Sequence, residues 1–188
     1  MENRTSISFF IVLLLIYFLN IYGCAIKFSN LDTGIQYDPS EAESIVVLGV
    51  EPRVRVSIFT GKTENGLWDC KSAFNVANVW PEKGFIVLKL KPRTDGKNYG
   101  IGQLLPAGIG GKSFVVKKGT LIPTFEVPPG QVVYVGTIHT EQGDNSMVIR
   151  KVTSNYEAAH IHIVNHYPQL ARYLTQGSLK LTISSGGC

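Results

Sequence analysis

The chain has 188 residues, of which 44% are hydrophobic, 17% charged and 10% aromatic. That balance supplies a core for about one folded domain and excludes a disordered or collagen-like chain. The formal net charge of +4 comes from Lys and Arg scattered among acids, as in "HTEQGDNS" and "RTDGK". A nucleic-acid surface gathers its bases on one face, so nucleic acid is not expected as a partner.

After Arg4 comes "ISFFIVLLLIYFLNIY", residues 7–22, apolar except for Ser8 and Asn20. The run is shorter than the about 20 residues that span a bilayer as a helix, and it suits the apolar region of a secretory signal. Ile21 and Tyr22 end the run, and Gly23 and Cys24 follow it. These four resemble the lipobox of bacterial lipoproteins, with an aliphatic residue at minus three, a tolerant position, a small residue at minus one, and then cysteine. The resemblance covers the first 24 residues, departing from the commoner pattern in Ile21 and in the bulk of Tyr22. It implies a diacylglycerol on the Cys24 thiol, cleavage before that residue and acylation of the new amino terminus. Each buried methylene is worth about 0.8 kcal/mol, so two or three acyl chains on one residue make a stable membrane anchor. Two other fates fit the same residues: ordinary secretory cleavage after Ala25, which "GCA" allows, and retention as an uncleaved anchor helix. The lipobox reading is preferred because run length and cysteine position both agree with it. Ala25 after the cysteine, where an inner-membrane protein carries Asp, implies the outer membrane, facing the periplasm. The expected division is a signal peptide over 1–23, a lipidated N terminus and tether over 24–42, and a β-sandwich-like domain over 43–188.

The polar "NLDTGIQYDPSEA" at 30–42 reads as the tether. Beyond it the pattern is that of strands. "ESIVVLGVEP" is β-branched and bounded by turn residues; "VRVSIFTGK" alternates Val54, Val56 and Ile58 with Arg53, Arg55 and Ser57, predicting one buried and one wet face. "GFIVLKLKPRTDGKNYGIG" alternates Ile86, Leu88 and Leu90 with Lys89 and Lys91, and "TDGK" is placed to turn a hairpin. Residues 111–152 read as short strands broken by Lys118-Gly119, Pro128-Pro129-Gly130 and Gly143-Asp144-Asn145. With no helix between them, antiparallel pairing is expected. "SNYEAAHIHIVNH" then opens on Ser154 with Glu157 three residues later, a capping box, and Pro168 should end the helix near Tyr167. "SLKLTISSGGC" reads as a last strand. The fold class is mainly β: an antiparallel β-sandwich with one α-helix before the last strand. "YVG" at Tyr134–Gly136 and the "YPQL" after the helix resemble features of uncharacterised β-sandwich lipoproteins of bacteria, which lend no catalytic residues.

Candidate chemistry is sparse. With Cys24 assigned to lipid, Cys70 and Cys188 remain, either one disulfide or two free thiols. His162 and His166 lie four apart on the helix, a zinc-binding spacing, but no acidic residue stands between them; His160 points elsewhere and His139 is distant. Surface histidines without metal are the expectation. "GIGGKS", with Gly111, Lys112 and Ser113, lacks the upstream glycine and the following helix of a phosphate loop. "LDTGI" at Asp32–Ile35 resembles an aspartic-protease signature but has no second copy to share a proton, and reads as a turn. No Gly-x-Ser-x-Gly elbow occurs. Trp68, Trp80, Tyr99, Tyr134 and Tyr156 fit either a ligand groove or core packing. The expected function is a membrane-anchored envelope lipoprotein whose domain is a non-catalytic binding, structural or assembly module, with no cofactor and an envelope protein as candidate partner. The alternative is a small periplasmic hydrolase or metal-dependent enzyme.

Overall fold

Between Ile45 and Val50 no side chain is polar, and in the computed structural model the chain extends there as β1 (Ser44–Glu51), buried on both faces. The structure describes residues 29–38, 43–93, 95–107, 113–143 and 147–188. The signal segment, Cys24 and the glycine loop with Gly111 and Lys112 lie outside them.

Two sheets make up the domain. The first has the order β10 (Met147–Thr153), β9 (Val132–Gln142), β1 and β5 (Phe85–Leu90), with β11 (Leu174–Gln176) also paired to β9. The second holds β2 (Val54–Glu64), β3 (Leu67–Cys70), β4 (Ala77–Val79), β6 (Lys97–Pro106), β7 (Phe114–Val115), β8 (Leu121–Phe125) and β12 (Leu179–Ser184). Around β2–β3–β12–β8–β6 this second sheet meets itself, because β2 also pairs with β6 from Val54↔Pro106 to Lys62↔Lys97. The result is a closed five-stranded barrel.

A single core joins barrel to sheet. Val46, Leu48 and Val50 of β1, Ile86 and Leu88 of β5, and Val133 and Val135 of β9 pack with Val56, Ile58, Ile101 and Leu104 of the barrel. The opposite face of the sheet offers Ile45, Val47, Val87, Val132 and Tyr134 to a second apolar layer. Covering it are helix α1 (Tyr156–His166), through Ala159 and Ile163, and the 3-10 turn Pro168–Tyr173, through Leu170. A strand covered on both sides reads as a continuous apolar run, as β1 does.

Several expectations need correction. Pairing is mixed: β1 with β9, β11 with β9, and β12 with β3 are parallel. The expected wet face of β2 is covered at Ser57, which is fully buried. "TDGK" does not turn a hairpin, since β5 belongs to the first sheet and β6 to the second. Helix α1 is capped one residue later than expected: Asn155 Oδ1 accepts from the Ala158 N–H at 3.2 Å, while Ser154 accepts from the Gln176 amide at 2.8 Å. The helix ends at Tyr167, before Pro168. Residues 29–38, read as tether, lie against the domain: Asn30 Oδ1 accepts the Val87 N–H at 2.8 Å, Leu31 N–H reaches Val87 O at 2.8 Å, and Tyr167 donates to Leu31 O at 3.0 Å.

Candidate functional site at the barrel mouth

Trp68 fills the barrel, with no exposed surface. Glycines on β2 and β6 make room for it. A Cβ at Gly100 would lie 2.6 Å from its ring, and one at Gly61 would overlap it outright. The indole N–H donates to Asn98 Oδ1 at 2.8 Å, and Asn98 Nδ2 donates to Thr63 Oγ1 at 2.9 Å, so the tryptophan's polar edge is tied to the barrel's end. Across from this pair, the Thr124 and Thr182 hydroxyls share a hydrogen bond of 2.7 Å, with Thr124 only 4% exposed. Below the ring, Phe59 covers Gly102 beside the Cys188 sulfur.

The upper end stays open as a groove of about 460 Å³. Thr63, Asn98, Thr124 and Thr182 form its floor, while Glu126 follows β8, Gln131 precedes β9, and Gln176 and Lys180 come from β11 and β12. Val133 and Pro128 are the hydrophobic residues of its lining, although carbon atoms cover more of the groove surface than polar atoms do. The Glu126 and Lys180 side chains have no hydrogen bond or ion pair among the described residues. Converging polar groups at the mouth of a barrel are a common form of small-molecule site.

No protein-family model matches this chain, and neither a curated protein nor a solved structure is significantly similar to it. What the domain does rests on its own geometry.

Cys70 and Cys188 are joined in a disulfide, with Cα atoms 5.3 Å apart. The bond lies beside one of the two shortest contacts in the ring, β3 with β12, which pairs only Leu67↔Ile183 and Trp68↔Ser184. Ser185 adds a backbone bond to Trp68 O at 2.8 Å and a hydroxyl bond to Asp69 Oδ1 at 3.1 Å.

The helix histidines divide. His160 is exposed, whereas His162, expected at the surface, is 8% exposed and packs on the Phe85 ring at 4.6 Å between centroids. His166 lies 4.8 Å from it. Burial pushes the His162 imidazole down to about 4, helped by His166 and Lys83 and opposed by Glu82. The surrounding cleft is small, about 220 Å³, with Thr33, Glu82 and Tyr167 on its other walls. Among the described residues no group of three or more His, Cys, Asp and Glu side chains is arranged to hold a metal, and no helix is long and apolar enough to cross a membrane. "LDTGI" forms a turn in which Asp32 Oδ1 accepts the Gly34 N–H at 3.0 Å. Trp68, Tyr99 and Tyr134 are core residues.

One arrangement escaped the sequence. His139 Nε2 lies 2.7 Å from Thr153 Oγ1, and its Nδ1 lies 3.3 Å from Glu51 Oε2. Parallel pairing places Glu51 opposite His139, and β10 brings Thr153 alongside. No spacing signal exists for three residues on three strands. The mouth threonines were equally hidden, although "LKLTIS" does alternate Lys180, Thr182 and Ser184 with its aliphatic positions.

Proposed function

We propose that this protein is a lipid-anchored envelope protein of bacteria, held through Cys24 to the outer membrane and facing the periplasm, and that its domain is a binding module working through the barrel mouth. The mouth groove carries the binding reading: neutral hydrogen-bonding groups converge there from several strands, preset by Trp68, Thr63 and Thr124, with two charged side chains unpaired among the described residues. The anchor rests on the order Ile21-Tyr22-Gly23-Cys24 after an apolar run of signal-peptide length. A sheet stacked on a barrel wall through one shared core supports describing the module as sandwich-like. Palmitate labelling with fractionation tests the anchor: label and membrane attachment should both be lost in Cys24→Ser, and their retention would overturn it. Amide NMR of the full chain in detergent micelles, titrated with small polar probes, tests the site. Shifts should concentrate at Thr63, Asn98 and Thr182, and silence with every probe would overturn it.

The Glu51–His139–Thr153 line supports a second reading, a small esterase. There Thr153 Oγ would add to an ester carbonyl while His139 Nε2 takes its proton and returns it to the departing alcohol, Glu51 holding the imidazole; water then releases the acyl group. Turnover of p-nitrophenyl acetate lost in both Thr153→Val and His139→Gln would favour it over the binding module.

A further inference from the structure

We infer that the barrel mouth takes a neutral, polyhydroxylated ligand, a saccharide of about two rings. This rests on the reading of the mouth as the binding site, and the groove's chemistry selects the class.

An anion such as phosphate recruits clustered Arg and Lys or a helix N-terminus. Here a single ammonium, Lys180, shares the lining with the carboxylate of Glu126, and no helix contributes. An apolar ligand calls for walls of hydrophobic residues, and of these the groove offers only Val133 and Pro128, the remaining carbon surface belonging to polar side chains and backbone that present donors and acceptors beside it. A nucleobase calls for an aromatic platform, and no ring lines the groove, Trp68 being sealed below it. What remains abundant are groups that both donate and accept: the amides of Asn98, Gln131 and Gln176 and the hydroxyls of Thr63, Thr124 and Thr182. A sugar hydroxyl has the same dual character, so each can be matched whichever way it points.

The floor is also preorganised, which lowers the ordering cost of binding. Asn98 is fixed by Trp68 at 2.8 Å and by Thr63 at 2.9 Å, leaving one amide N–H and a carbonyl lone pair for a ligand. The Thr124 and Thr182 hydroxyls bond each other at 2.7 Å and Thr124 also donates to Lys180 O at 3.4 Å, so the pair is held in place with acceptor capacity to spare. Glu126 and Lys180 add charge-assisted bonds to hydroxyls, stronger than neutral ones. At about 460 Å³ the groove falls among small-molecule sites and is too small for a long polymer to be enclosed.

The test titrates the full chain in detergent micelles with chitobiose, cellobiose and maltose, and separately with Ala-Ala dipeptide and inorganic phosphate, reading backbone amide shifts. At least one disaccharide should bind saturably and shift Thr63, Asn98 and Thr182. Lys180→Met and Gln131→Ala, which leave the barrel floor intact, should weaken it by about tenfold, while Lys151→Ala on the far sheet should not. Occupancy of the mouth by the dipeptide or phosphate but by none of the three sugars would overturn the saccharide and leave the binding site standing. Sugar shifts confined to residues away from the mouth would overturn it too. No shift with any probe would remove both.

Discussion

Asn98 accepts the indole N–H of Trp68 at 2.8 Å, so the residue that plugs the barrel is held by one that floors the groove. Stability and binding therefore meet at this pair. Trp68→Phe keeps an aromatic plug but strands the Asn98 carbonyl, and should cost about 1–3 kcal/mol; Trp68→Ala opens a cavity and should cost about 3–5 kcal/mol. Gly100→Ala sets a methyl 2.6 Å from the ring and should cost about 1–3 kcal/mol by overpacking. Urea denaturation of the three variants checks the order.

The disulfide joins residues 118 apart and sits at one of the two shortest seams of the ring. Replacing Cys70 and Cys188 together by Ser should lower stability by up to about 4–5 kcal/mol in the chain-entropy picture. Protection of the β12 amides from hydrogen exchange should fall further than that of β9. Equal loss across both strands would mean the bond does not brace the seam.

His162 should make the domain acid-sensitive. Its folded-state pKa of about 4 lies below the unfolded value of 6.5, so the unfolded chain takes up the proton first. Stability is complete above about pH 6.5 and is lost as pH falls toward 4, by up to about 3 kcal/mol at the end of that window. The exposed carboxylates of Glu64, Asp69 and Asp95 are held below their ordinary values chiefly by their Lys62, Lys71 and Lys97 hydrogen bonds. His162→Leu should flatten the pH 6.5 to 4 slope of the melting temperature; an unchanged slope would acquit the histidine.

Helix α1 offers a sharp comparison between neighbours. Asn155 caps it through the Ala158 N–H, so Asn155→Ala should cost about 1 kcal/mol. Ser154→Ala removes only an exposed bond to Gln176 and should cost less than about 0.5 kcal/mol. Thermal melts of the two variants would separate them.

Local signals carried part of this fold into the sequence. β-branched runs marked strands, and Pro168 marked the end of α1, because both act within a few residues. Register and closure did not, because Leu67 meets Ile183 only through a partner far along the chain. The last strand shows the ambiguity best. Leu181 and Ile183 alternate with Lys180 and Thr182, yet the aliphatic residues are 40% and 44% exposed while Thr182 bonds Thr124 within the barrel. Alternation reveals two faces; only the closed ring decides which is inside. The same holds for the groove, whose residues come from separate strands and the turns between them, none bearing a motif. Trp68 was visible as an aromatic, but its place depended on Gly61 and Gly100 beside it.

β1, buried on both faces, also sets a folding order. Its antiparallel partner β5 follows closely, but the parallel partner β9 begins only at Val132, and β12 closes the barrel later still. Contacts of such long sequence separation place folding in the slow, millisecond-to-second range of β-barrels. A chain emerging from its N-terminal end displays the unbroken apolar edge of β1 well before β9 exists to cover it. That interval, more than any weakness of the finished domain, is when mispairing between chains is most favoured.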